Sequence, residues 1–309
     1  MVAGSHAALR KGRVGGKQFG ATADASARGV PPKPGAHRSG PACMATRATV
    51  STFFPESPMS MGTRRPRLLD GHPPELLVYD EDTSCPYIET RVARLPMRLP
   101  TRPLTAAEFS ERLHVGDRRQ GLVLYRPACP DCTACEAIRL DIEAFKPNKT
   151  QRRIYRRGQR LFRVELGEPS LSGEKVELYN KHKVGRSLMG EGDPIDETGY
   201  GAFLVDSCTE SFEIRYYIDD EAGSRLGGVA IVDRGSDALS AVYTYFDPEL
   251  ADYSPGVFSI LEQIELCKRW GLRWVYLGLF VAECSSMAYK ARYLPHERLL
   301  NGKWVVFDR

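Results

Sequence analysis

Residues 238–278 read ALSAVYTYFDPELADYSPGVFSILEQIELCKRWGLRWVYLG. The run 238–246 is rich in β-branched and aromatic residues and reads as a strand. Asp247-Pro248 closes it, since proline cannot donate to a ladder. Ser254-Pro255-Gly256 then turns the chain into a helix over 257–270, where Val257, Ile260, Leu261, Ile264 and Cys267 recur at helical spacing. Residues 274–278 (WVYLG) begin the next strand. A strand, a small-residue turn, a strong helix and a strand form the unit to which the flanking segments must be fitted.

Upstream of it lies a meander. Residues 212–218 (FEIRYYI) alternate, an acidic turn follows, and 226–233 (LGGVAIVD) is a buried strand. Further back, 199–206 is expected as another strand and 175–188 as a helix carrying Tyr179 and His182, the histidine at the surface or near a cap. Downstream, 286–293 (SMAYKARY) is a loop or short helix and 303–307 (KWVVF) a last strand. Three strands, a turn, a helix, a strand, a helix and a strand is the order of the acetyltransferase-like (GNAT) acyltransferase fold. In it the central strands splay to admit an acyl donor, and a helix N-terminus faces the donor's phosphates.

The N-terminal half is built differently. Residues 75–80 form a short strand, 84–89 (SCPYIE) a turn, and 93–103 an exposed or edge strand interrupted by proline. Thr105 opens a helix through a Thr-Ala-Ala-Glu capping box, with Phe109 and Leu113 inward. Strands at 121–126 and 137–145 flank a loop bearing Cys129, Cys132 and Cys135. Thiolates at this spacing can converge on one soft metal or cluster; the alternative is reduced thiols bracing the sheet. Residues 151–163 (QRRIYRRGQRLFR) make a basic helix whose arginines suit a phosphate backbone, against the alternative of a solvated face. The chain thus divides into an α/β (α+β) pair of lobes, a cysteine-containing one over 67–165 and a GNAT-like one over 166–309.

The 309 residues carry a formal charge of +4, with 42% hydrophobic and 27% charged residues. Residues 1–43 hold seven Lys or Arg and one acid, so the remainder sums to about −2. Nucleic-acid contact must therefore come from local patches. Residues 1–66 are expected as a disordered basic extension, or as the product of a start codon upstream of Met44, Met59 or Met61. No apolar run approaches the roughly 20 residues of a membrane span, and there is no secretory h-region. Eight scattered cysteines in a chain this long point to a reducing cytoplasm rather than a disulfide scaffold.

Several motifs carry a family resemblance. Cys85-Pro86-Tyr87, Gly116-Asp117-Arg118-Arg119-Gln120-Gly121, Tyr125-Arg126-Pro127, the CxxCxxC of Cys129, Cys132 and Cys135, and Gln151-Arg152-Arg153 resemble the N-terminal half of the bacterial aspartate/glutamate leucyltransferases, relatives of the eukaryotic arginyl-tRNA–protein transferases. Ser240-Ala241-Val242-Tyr243, Phe246-Asp247-Pro248, Tyr276-Leu277-Gly278 and Met287-Ala288-Tyr289-Lys290-Ala291-Arg292 resemble their C-terminal half. Two departures stand near the donor site: 279–284 reads LFVAEC where the family has a longer aromatic run, and Ser-Pro-Gly replaces Ser-Leu-Gly.

The resemblance implies an enzyme of the N-degron pathway, acting as a cytoplasmic monomer without a membrane. It would transfer leucine from leucyl-tRNA to proteins beginning with Asp or Glu. Arginine as donor is the alternative, and a non-catalytic metal- and RNA-binding module the rival class. Asp247 and Tyr243 are expected in catalysis, as a carboxylate orienting or deprotonating the amine and an oxyanion donor. Lys290, Arg292, Arg118 and Arg119 are the candidates for the acceptor's carboxylate. Arg126, Arg152, Arg153 and Arg156 would hold tRNA, and Tyr276, Tyr289 and Met287 would line the donor pocket. Cys85 would complete a zinc or iron–sulfur site with Cys129, Cys132 and Cys135.

Overall fold

The computed structural model describes residues 66–190, 193–221 and 223–309. The basic extension therefore lies, but for Pro66, outside the described residues. In chain order the strands and helices are β1 (Arg67–Leu69), β2 (Glu75–Tyr79), β3 (Asp82–Ser84), β4 (Val92–Arg94), β5 (Met97–Pro100), α1 (Ala106–His114), β6 (Arg118–Gln120), β7 (Val123–Tyr125), β8 (Glu136–Asp141), α2 (Lys149–Leu161) and β9 (Arg163–Gly167). There follow α3 (Gly173–Gly185), α4 (Glu197–Tyr200), β10 (Ser211–Asp220), β11 (Gly223–Arg234), β12 (Ala238–Phe246), α5 (Pro255–Arg269), β13 (Trp274–Phe280), α6 (Ser285–Ala288), β14 (His296–Leu300) and β15 (Lys303–Phe307).

A large sheet runs β15-β14-β8-β13-β12-β11-β10-β9, and a smaller one runs β1-β2-β5-β7-β6. Alternation along the large sheet sends side chains to two faces. Ile138, Leu140, Ile214, Tyr216, Ala230, Val232, Leu239, Val275 and Leu277 pack under α5, with α2 beside it through Phe162 and Phe258. On the other face Val229, Ile231 and Tyr245 meet α3 and α4, while Trp274 and Tyr276 meet Phe109 and Leu113 of α1. β12 and β13 are parallel and pair only over Ala238–Trp274, Leu239–Val275 and Ser240–Tyr276. Past that point they run on to Phe246 and Phe280 without pairing each other, which is the open wedge of an acyltransferase-like sheet.

Local chemistry accounts for the elements. Thr105 and Glu108 cap α1 reciprocally, and Asn148 and Gln151 do the same for α2, which starts at Lys149 rather than at Gln151. Arg163, expected in that helix, opens β9 and pairs with Asp219. The strand expected at 199–206 is instead α4 running into a π-turn. Asp196 caps it, Tyr200 and Leu204 bury one face, and Asp206 N–H reaches back to Gly201 O at 2.9 Å. His182 is buried rather than exposed. It shares Nδ1 contacts of 3.0 and 3.2 Å with Phe246 backbone, and burial lowers its pKa to about 4.

β8 enters the large sheet from the N-terminal half and pairs with both β13 and β14. Arg139 fixes it there. Its guanidinium lies 3.6 Å from the Trp274 ring centroid and 4.1 Å from that of Trp304, and it binds Glu297 and the Tyr276 hydroxyl.

Candidate active site

The wedge between β12 and β13 contains two buried cations. Gly278, on β13, has φ +89°, a backbone conformation that disfavours any side chain. A Cβ there would lie 3.5 Å from Arg118 Nη2 and 3.6 Å from Lys290 Nζ. Arg118 reaches in from β6, where all three residues are buried, and donates from Nη2 to Ala241 O of β12 at 3.1 Å. Its Nη1 is buried without a hydrogen-bond partner. Lys290 comes from the 3-10 turn after α6. Its Nζ donates to Leu279 O at 2.6 Å and lies 3.5 Å from Met287 Sδ.

Among the described residues neither cation has a carboxylate partner. Burial pushes the Lys290 pKa down to about 7, helped by the neighbouring Arg118 charge and opposed by Cys284 and Cys135. Burial lowers the Arg118 pKa as well. Unpaired charge in a protein interior is costly unless something compensates it. An anion entering the wedge would supply that compensation and satisfy the orphaned Nη1.

The remaining expected residues occupy varied positions. Arg119 points away from the wedge into a buried ion pair, Nε to Asp233 Oδ2 at 2.8 Å, and also donates to Asp206 O and Gly121 O. Arg292 is exposed. Asp247 caps the 3-10 turn Pro248–Tyr253 and is gripped by Lys181 at 2.9 Å and Arg225 at 3.3 Å. Burial raises its pKa, but these contacts hold it below the usual range. Tyr243 packs against Tyr179 and Phe203, and its phenol, sharing a hydrogen bond with Tyr179, is pushed by burial to about 12. Among the described residues no hydrogen bond or ion pair links Asp247 or Tyr243 to Arg118 or Lys290. Of the three donor-pocket residues, Met287 touches Lys290, Tyr289 is partly exposed beside it, and Tyr276 is buried with its hydroxyl on Arg139.

The α2 arginines 152, 153, 156, 157 and 160 are all exposed. Gly158 lets the helix lie directly on Phe258, whose ring a Cβ would strike. Arg126 is tied to the turn before β6, donating to Val115 O at 2.7 Å and lying 3.7 Å from Asp117.

The cysteine loop adjoins the wedge. Cys85 accepts from Ile88 N–H at 3.4 Å, Cys129 from Arg94 N–H at 3.5 Å and Cys132 from Arg91 Nη1 at 3.0 Å. Burial pushes the Cys135 thiol up to about 12, reinforced by Cys85, Cys129, Cys132 and Cys284. Cys284 is fully buried and was not among the expected site residues; its place in 279–284, where the chain departs from the resembled family, was the one signal available. Tyr87 and Tyr125 line the same region, each with its pKa raised chiefly by burial. The donor type suits zinc or an iron–sulfur cluster, yet among the described residues no three such side chains are arranged to hold a metal.

Residues 83–153 match the model of the arginine-tRNA-protein transferase N terminus, and 174–300 that of its C terminus. An aspartate/glutamate leucyltransferase of Chromobacterium violaceum is 37% identical over 220 residues, covering 71% of this chain and 89% of the relative. One from Aeromonas hydrophila is 38% identical over 224 residues, covering 72% and 92%. Solved structures are more distant: FemX matches 55% of this chain and 59% of its own at 9% identity and a TM-score of 0.36.

Proposed function

Since the chain belongs to the aspartate/glutamate leucyltransferase family and is an aminoacyltransferase, we propose that it moves leucine from leucyl-tRNA to proteins beginning with Asp or Glu, marking them for degradation, and that the Arg118–Lys290 pair receives the acidic side chain. The observation that carries the acceptor assignment is the meeting of these two cations over Gly278, buried and, among the described residues, without a carboxylate. Arg119 is committed to Asp233, so the recognition falls to its neighbour.

In the reaction the acceptor's neutral α-amine attacks the aminoacyl ester carbonyl. A C–N bond forms, the ester C–O bond breaks, and the amine's proton ends on the terminal ribose hydroxyl. The ester is already activated, so the protein's main contribution is position. Carboxylate capture by Arg118 and Lys290 would fix the acceptor's first residue within the wedge. Met287 and Tyr289 offer the adjoining apolar surface to the leucyl side chain, and the exposed arginines of α2 offer a face for tRNA phosphates. The thiols of Cys85, Cys129, Cys132 and Cys135 are not arranged to hold a metal among the described residues, and no step of the reaction runs through one. Among the described residues the cysteines form no disulfide and no helix is long and apolar enough to cross a membrane.

Incubation with leucyl-, arginyl- and phenylalanyl-tRNA and peptides beginning with Asp, Glu or Lys tests the reading. Leucine should appear on the Asp and Glu peptides. Absence of transfer from every donor would sink it, and arginine transfer would reassign the donor.

A further inference from the structure

Between α2 and α5 opens a cavity of about 240 Å³ lined by Pro147, Arg152, Tyr155, Arg156, Leu261 and Glu265. It is smaller than the roughly 300–1,000 Å³ of clefts that bury a drug-sized ligand, and so suits a single ring system. Three walls are apolar. The Tyr155 ring is held in place by stacking on Phe258, with centroids 5.6 Å apart at 27°, and by its hydroxyl donating to Glu262 at 2.9 Å. Arg152 and Arg156 stand one helical turn apart at the rim, exposed, and among the described residues they donate to the backbone carbonyls of Pro147 and Arg152. Glu265, half-buried and paired with Lys268 at 2.7 Å, contributes acceptor oxygens.

A fixed aromatic plane, a guanidinium rim and one carboxylate acceptor match the way proteins take a splayed RNA base. The ring stacks, phosphates meet arginine, and an edge group is hydrogen-bonded. We propose that this cavity receives one unpaired nucleobase of the bound tRNA, its exocyclic amine on Glu265 and its flanking phosphates on Arg152 and Arg156. The proposal rests on the assignment of α2 as the tRNA face. Cytosine and adenine carry the required amine; uracil would turn a carbonyl oxygen toward Glu265.

Fluorescence anisotropy with short labelled oligocytidylate, oligoadenylate and oligouridylate tests it. The cytosine and adenine oligomers should bind about tenfold more tightly than the uracil oligomer. Tyr155→Leu should weaken them about tenfold, while Tyr155→Phe retains binding. Glu265→Gln, a near-isosteric change, should erase the preference over uracil even if Tyr155→Leu fails to fold. Equal binding of the three oligomers by the wild type, or wild-type behaviour of Glu265→Gln, overturns the slot. A parallel titration with whole tRNA separates the two levels. If joint replacement of Arg152, Arg153 and Arg156 by Ala leaves tRNA binding intact, the α2 assignment itself fails. If that variant loses tRNA while Tyr155→Leu and Glu265→Gln behave as wild type, only the base slot falls.

Discussion

Arg118 and Lys290, which are 172 positions apart in the chain, converge on Gly278, their terminal nitrogens 3.5 and 3.6 Å from where its Cβ would stand. Neither position alone is unusual; the juxtaposition is, because each cation raises the cost of the other. Such an arrangement opposes folding and favours an incoming anion, and it can be tested on both counts.

The first test is stability. Lys290 has a folded-state pKa near 7, below its ordinary 10.5. The unfolded chain therefore holds a proton that the folded chain gives up between about pH 7 and pH 10, so this group makes stability rise with pH across that window. Below pH 7 the full cost of the buried charge is present. Lys290→Met should raise the melting temperature at pH 6 by several degrees, with the gain shrinking toward pH 10. A lower melting temperature at pH 6 would mean that Lys290 serves the fold.

Selectivity gives a second test. The ratio of kcat/KM for an Asp peptide to that for the matching Asn peptide cancels the titration of the common α-amine. The ratio should be tenfold or more at pH 6, a charge-assisted bond contributing about 1.5–3 kcal/mol, and should fall as Lys290 deprotonates around pH 7. Lys290→Met should give a smaller, pH-independent ratio. A ratio that climbs with pH contradicts the assignment; a rate that climbs through pH 7 for both peptides and flattens in Lys290→Met would instead make Lys290 the group that takes the amine's proton.

Arg119 is predicted to behave unlike its neighbour. Arg119→Met leaves Asp233 buried without its ion partner, at a cost of about 3–5 kcal/mol, and adding Asp233→Leu should recover much of that. Thermal unfolding of the single and double variants reads this directly. A stable single variant with altered acceptor preference would place Arg119 in the pocket.

What the sequence disclosed, and what it withheld, follows from the range of the interactions. The segments at 238–246 and 257–270 were legible because alternation and helical spacing are local, and so was the Thr105–Glu108 box. The 199–206 segment misled because Phe203, Leu204 and Val205 suit a strand, while the four-residue spacing of Tyr200 and Leu204 and the Asp196 cap decide for helix. β14 escaped notice: its HERLL has little strand character and owes its place to pairing with β8 and β15. Among the site residues, basic character at 118, 119, 290 and 292 was visible, but which two are buried together was not. Arg119 and Asp233 are 114 positions apart, and nothing local distinguishes Arg118 from its neighbour.

The exposed face of α2 makes a prediction about ionic strength. If Arg152, Arg153 and Arg156 each neutralise a phosphate, replacing all three by Ala should flatten the slope of log K against log salt by about 2–3. tRNA binding should weaken most at low salt. An unchanged slope with weaker binding would assign these side chains to packing of α2 rather than to phosphate.

The cysteine loop closes the set, because its thiols differ in environment. Cys132 receives a hydrogen bond from the Arg91 guanidinium at 3.0 Å, whereas burial and four neighbouring thiols push Cys135 up to about 12. Pulsed alkylation of reduced, metal-depleted protein at pH 7.5 should therefore label Cys132 before Cys135, and Arg91→Ala should slow Cys132 without affecting Cys135. Mass spectrometry of the labelled peptides gives the order. Equal rates would remove the Arg91 effect. Repeating the labelling on anaerobically purified protein, with zinc and iron measured alongside, tests the loop as a metal site. Joint protection of Cys85, Cys129, Cys132 and Cys135 that a chelator abolishes would close the four thiolates on one centre. An unchanged order without stoichiometric metal would leave them as reduced thiols bracing the loop against the 88–94 segment.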